Sequence, residues 1–161
     1  MRPHAVPEER QRGLCLPHGL LFGHDQPVAV WCWNEFKIRP MPADAAIGIV
    51  RNNRLVGAAV FQNFSGYNVE LSYYGPQTFS AGIARALARY AIERFNVDRL
   101  TMRTNRRNAS ILKMFHRFGF KLEGVQHRYY GAFGDAAVFV LFREDLERIG
   151  GLSKGQSGES K

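Results

Sequence analysis

Cysteine is almost absent from this chain: two residues in 161, Cys15 and Cys32. Neither stands in a CxxC pair or a Cys/His ligand spacing, which argues against a disulfide framework and against a structural zinc site. No metal is expected. Long apolar runs are missing as well, since none approaches the ~18 residues that cross a bilayer. No membrane partner is expected. Met1 to Arg12 is polar and Pro-containing, without the apolar stretch of a secretory signal. These absences together predict a reducing, cytoplasmic setting. Acidic residues are also scarce, 14 against 22 Lys and Arg, and the formal net charge is +8.

What is present is globular. The 45% hydrophobic and 12% aromatic content suits one compact domain with a real core. The positive charge favours polyanionic partners: a phosphorylated cofactor first, nucleic acid or an acidic protein as alternatives. Both ends read as tails. Residues 1–18 form an N-terminal extension without periodicity, and 150–161, Gly-, Ser- and Lys-rich, a flexible C-terminal tail.

Between them, elements alternate. Leu20 to Phe22 is a short strand, and Asp25, followed by Pro27, resembles the N-cap of a helix running to about Phe36. Ala46–Val50 and Leu55–Asn63 are β-branched, apolar segments joined by the turn Arg51-Asn52-Asn53-Arg54, and Asn68–Tyr74 is a third, closed by Gly75-Pro76. Ile83, Leu87, Tyr90, Ala91 and Phe95 recur at helical spacing. Leu100–Thr104 reads as a strand. Ile111, Leu112, Phe115 and Phe118 mark a helix ending at Gly119. Phe120–Val125 and Ala136–Phe142 finish as strands. The order β-α-β-β-β-α-β-α-β-β predicts a mixed α/β sheet with helices on both faces.

Two segments carry chemistry. In Phe79-Ser80-Ala81-Gly82-Ile83-Ala84, small residues open a helix directly after a strand. Backbone N–H groups of a first helical turn form an anion site, and a pyrophosphate is the obvious guest; tight packing against a strand is the plain alternative. In Thr104-Asn105-Arg106-Arg107-Asn108-Ala109-Ser110, a strand ends in polar residues before a second helix. Such a segment either holds the amides of an extended ligand or simply caps the helix at Asn108.

Taken together, these segments resemble the GNAT N-acetyltransferase superfamily across Gly19 to Ile149. Gly82 and Ala84 match the small positions of that family's Gln/Arg-x-x-Gly-x-Gly/Ala cofactor loop, and Phe79 replaces its Gln/Arg. Asn108 precedes Gly119-Phe120 by eleven residues, and Glu123-Gly124 continues the pattern. Phe22-Gly23-His24-Asp25 and Gly57 to Ser72 look most like phage- and prophage-encoded members. The resemblance implies a mostly antiparallel twisted sheet with a V-shaped splay between two central parallel strands. It also implies acetyl-CoA as co-substrate. The pantetheine arm would pair with Leu71, Ser72 and Tyr73, and the pyrophosphate would sit on the N–H groups of Phe79, Ser80, Ala81, Gly82, Ile83 and Ala84. Asn108, Ser110 and Phe115 complete the expected cofactor contacts.

The implied reaction is direct attack of a primary amine on the thioester, with a protein or peptide as the expected acceptor. An amine of pKa near 10 is ~99.9% protonated at neutral pH, so a base is required. Glu70 is the candidate, with Ser72 and Tyr129 as further catalytic candidates. The family's helix tyrosine, seven positions after the Asn, is here Phe115, so Tyr73, Tyr129, Tyr130, His127 or water would have to protonate the thiolate. One helix between Asp25 and Asp44, where many relatives have two, implies a shallow acceptor pocket or one completed by a second subunit in a homodimer. The rival readings are a small-amine acetyltransferase, an acyl-CoA-binding module with little turnover, and an RNA-directed acetyltransferase.

Overall fold

The computed structural model describes residues 19–75 and 77–152. The N-terminal extension 1–18 with Cys15, the turn residue Pro76, and the tail from 153 lie outside the described residues. Elements run β1 (Gly19–Leu21), α1 (Asp25–Glu35), β2 (Ala45–Arg51), β3 (Arg54–Gln62), β4 (Asn68–Tyr74) and α2 (Ala81–Tyr90). A π-helical turn, Ala91–Phe95, then leads to β5 (Arg99–Asn105), α3 (Ala109–Phe118), β6 (Lys121–Gln126), β7 (Ala136–Phe142) and α4 (Arg143–Gly150). The seven strands form one sheet in the order β1-β2-β3-β4-β5-β7-β6. It is mostly antiparallel, with β4 and β5 parallel. No helix among the described residues is long and apolar enough to cross a membrane. The described residues divide into two compact units: one takes 19–64 and those of 71–87, the other Ser65–Glu70 and 88–152.

The first unit is built on a hairpin. Asn52 and Asn53 take φ of 51° and 59°, the paired left-handed values of a two-residue I′ turn, and they close β2 on β3 at Arg51↔Arg54. Helix α1 buries Val28, Ala29, Cys32 and Trp33, a one-sided stripe, against Leu21, Ala46, Ala58 and Val60. Asp25 is not the N-cap expected from sequence. That position is His24, and Asp25 instead accepts a hydrogen bond from the Ala46 amide at 2.8 Å, tying the helix start to β2. The sheet edge competes for the carboxylate and wins it. Burial, with Glu35 nearby, pushes the Cys32 thiol up to about 12, leaving it unreactive.

In the second unit, Asn68, Val69 and Glu70 of β4 lie beside Arg99, Leu100 and Thr101 of β5. Strand β7 pairs antiparallel with both β5 and β6. Asn108 caps α3, accepting from the Ile111 amide at 3.3 Å, and Gly119 ends the helix at φ 83°. Helix α4 is absent from the sequence-based element order. It starts directly on β7, where Asp145 accepts from the Phe142 amide at 3.0 Å. Its Leu146 is buried, and the Arg89 Nε donates to the Gly150 carbonyl at 2.7 Å. Gly150, expected to open the tail, therefore closes a helix. With so few apolar residues in eight, α4 shows little periodicity to read.

Candidate functional site

Strand β4 alternates its side chains, placing Leu71 and Tyr73 on one face and Glu70, Ser72 and Tyr74 on the other. Within the first unit Leu71 is buried, and the half-buried Ser72 Oγ lies 3.4 Å from the Gln62 Nε2 donor. The Gln62 Oε1 is buried without a hydrogen-bond partner among the described residues. Tyr73 is committed locally. Its hydroxyl lies 2.5 Å from the Thr78 Oγ1, and the Thr78 hydroxyl donates to the Gly75 carbonyl at 2.8 Å, so Tyr73 is the donor to Thr78. Burial raises Tyr73 above the usual phenol value, with the Thr78 hydrogen bond pulling the other way. This chain of hydroxyls pins the β4–α2 loop. Gly57 makes room beneath it, because a Cβ there would lie 2.9 Å from the Tyr74 carbonyl oxygen.

Phe79 follows from the same packing. Where the family resemblance expects Gln or Arg, its ring stands edge-on to Tyr73 with centroids 5.1 Å apart. At the start of α2, the Ser80 Oγ accepts from the Ile83 amide at 3.2 Å and the Ser80 carbonyl from the Ala84 amide at 2.9 Å. Those two amides are therefore spent, which narrows the expected cradle. The N–H groups of Ala81 and Gly82 have no hydrogen-bond partner among the described residues. Ala81 is exposed and Gly82 half-buried, whereas Ile83 and Ala84 face the core. Two open amides with small side chains at a helix start suit a phosphate oxygen.

The second unit holds the charged part. Both oxygens of Glu70 are engaged by Arg103, Nη1 to Oε2 at 2.6 Å and Nη2 to Oε1 at 3.1 Å. The same guanidinium donates from Nε to the Gln126 Oε1 at 2.9 Å and sits 5.7 Å from the Tyr129 ring centroid. Hydrogen bonding to Glu70 raises Arg103 above its ordinary value. Tyr129 is exposed, with Tyr130 edge-on at 5.0 Å. Burial raises Tyr130, and neighbouring Tyr129 adds to the shift.

The remaining sequence candidates separate. Ser110 is exposed in the first turn of α3, as are Lys113, His116 and Arg117 along it. Phe115 requires correction. It is 2% exposed, stacked on Phe120 at 4.6 Å and edge-on to Phe139 at 4.9 Å, so no ring surface remains for a cofactor. His127 is held by Asp135 through Nδ1 at 3.0 Å. Sequence reasoning missed Arg103 and Gln126. Arg103 lies two residues beyond the register partner of Glu70 on the neighbouring parallel strand. That relation exists once strand pairing is known.

No family model and no curated protein matches this chain. Solved structures do. A probable acetyltransferase is 20% identical over 63% of this chain and 62% of its own, with a TM-score of 0.55. An N-acetyltransferase from Staphylococcus aureus Mu50 is 17% identical over 78% of this chain and 98% of its own, with a TM-score of 0.60. A GNAT family acetyltransferase from Elizabethkingia anophelis with acetyl-CoA bound is 12% identical over 61% and 75%, with a TM-score of 0.51. The fold is that of the GNAT acetyltransferases. The chain spans less than two thirds, 62%, of the first of these structures.

Proposed function

We propose that this chain is an N-acetyltransferase that moves an acetyl group from acetyl-CoA to a primary amine of a protein or peptide, by direct attack. One observation carries the reading: the open amides of Ala81 and Gly82 at the start of α2, on a GNAT fold. The Elizabethkingia anophelis neighbour with acetyl-CoA bound supports the choice of co-substrate. When bound, acetyl-CoA supplies the activated acyl group. Ala81 and Gly82 would hold its pyrophosphate, and the main chain of Leu71, Ser72 and Tyr73 would pair with its amide arm.

The proton chemistry falls to side chains of this molecule. Glu70 is the candidate proton acceptor, held in one orientation by Arg103. Tyr129 is the candidate donor to the thiolate, since Tyr73 is committed to Thr78 and Phe115 has no hydroxyl. Phe115 also favours a second reading, a binding module with little turnover. Isothermal calorimetry with acetyl-CoA tests the first step. Gly82→Glu sets a negative charge where the pyrophosphate would lie and is expected to abolish binding while the protein melts normally. Undiminished binding by a folded mutant overturns the cradle. CoA-thiol release with peptide and polyamine acceptors then separates enzyme from binding module, and protein from small-amine substrates.

A further inference from the structure

The β6–β7 loop, residues 127–135, displays aromatic rings instead of hiding them. Tyr129 is 53% exposed, Tyr130 49% and Phe133 87%. The loop is nevertheless firmly built. The Arg128 amide donates to the Asp135 Oδ1 at 2.9 Å and the Tyr130 amide to the Gly134 carbonyl at 2.8 Å. Gly131 bonds to the Arg128 carbonyl, Gly134 to that of Gly131, and the Arg106 amide to that of Asp135 at 2.9 Å. Gly134 is required by this closure, because a Cβ there would lie 2.7 Å from the Cβ of Tyr130. A loop whose backbone is already bonded loses little main-chain entropy when something stacks on its rings.

Basic side chains outnumber acidic ones around these rings. Arg106, Arg107, His127 and Arg128 are exposed on this loop and on the adjoining β5–α3 turn. Asp135 is the one acidic residue between Glu123 and Glu144 in the sequence, and Arg128, His127 and Arg106 already engage it. Exposed aromatics interleaved with arginines match bases and phosphates together. A duplex keeps its base faces stacked inside, and Asp and Glu side chains offer the rings no aromatic face. We propose that the β6–β7 loop, with Arg106 and Arg107, is a docking surface for single-stranded nucleic acid. Tyr129 is shared with the proposed acetyl transfer, whereas Phe133, Arg106, Arg107 and Arg128 take no part in it.

Fluorescence anisotropy of the full chain with a labelled U-rich RNA of about twelve nucleotides, across a salt series without acetyl-CoA, tests this. Saturable binding at about 50 mM salt is expected, weakening as salt rises. Phe133→Ala should weaken it about tenfold and leave the salt slope unchanged, because a stacking surface is lost and no charge. Phe133→Trp should retain binding, which separates stacking from damage to the loop. Arg128→Gln should lower the slope by about 0.7. The proposal is overturned if no saturable binding occurs, or if a folded Phe133→Ala binds as tightly as the parent. It is equally overturned if a perfect duplex or polyglutamate competes as well as the single strand.

Discussion

The β4–α2 loop and the β6–β7 loop are each held by one polar side chain, Thr78 in the first and Asp135 in the second. Thr78 is 2% exposed and neutral, and it passes a hydrogen bond from Tyr73 on to Gly75. Asp135 is partly exposed and charged, and it gathers the Arg128 amide, His127 and Arg106. A buried hydroxyl relay holds its loop regardless of salt or proton concentration, whereas an exposed carboxylate does not. The first loop leads into the candidate cradle at the start of α2. The second presents rings on a platform whose anchoring responds to its surroundings.

The charged unit is expected to show the largest effect. Glu70→Gln keeps size and one of the two acceptors that face Arg103 but removes proton acceptance, so kcat should fall about 100-fold, about 2.7 kcal/mol in barrier, with acetyl-CoA affinity unchanged. A mutant with parental turnover between pH 6 and 9 would give Glu70 a structural role only. Next comes the relay. Thr78→Val leaves the buried Tyr73 hydroxyl without its acceptor and is expected to cost about 2 kcal/mol by denaturant unfolding. Acetyl-CoA affinity should fall with it, by the same factor at low and high salt. A strong salt dependence would erase the contrast between the loops.

Asn108 gives a smaller effect. Asn108→Ala removes the observed cap and should cost about 1 kcal/mol, while Asn108→Asp keeps it. Turnover measured beside melting decides whether the side chain also touches a ligand: an active Asp variant limits Asn108 to capping.

The smallest effect concerns Asp135, whose carboxyl is held below its ordinary value of 3.8, first by the Arg128 amide and then by His127. The depressed value means that its contribution to stability is present above pH 3.8 and is lost as pH falls through the folded value. The protection factor of the Arg128 amide, its exchange rate corrected for the intrinsic pH dependence, should fall on acidification in the parent and lose that dependence in Asp135→Asn. An unchanged profile would remove Asp135 as the anchor.

Local chemistry was legible without coordinates. Asn68–Tyr74 and Ala136–Phe142 match their strands residue for residue, because alternation and β-branching act within a segment. The cap at Asn108, the stop at Gly119 and the turn at Asn52-Asn53 likewise need only neighbouring backbone. The small-residue opening of α2 marked the candidate cradle, but which amides remained open depended on where Ser80 pointed.

Contacts between distant residues belonged to the tertiary structure. Strand register brought Arg103 to Glu70, 33 residues away in sequence, and so turned a lone carboxylate into half of an ion pair. Packing buried Phe115 between Phe120 and Phe139, in place of the ligand contact its position suggested. The edge of β2 drew Asp25 from its expected cap. Helix α4, with little apolar pattern of its own, owes its place to Leu146 and the Arg89 bond to Gly150. Propensity and capping are energies of adjacent residues and are written along the chain. Cross-strand ion pairs and core contacts arise only after strands have chosen neighbours.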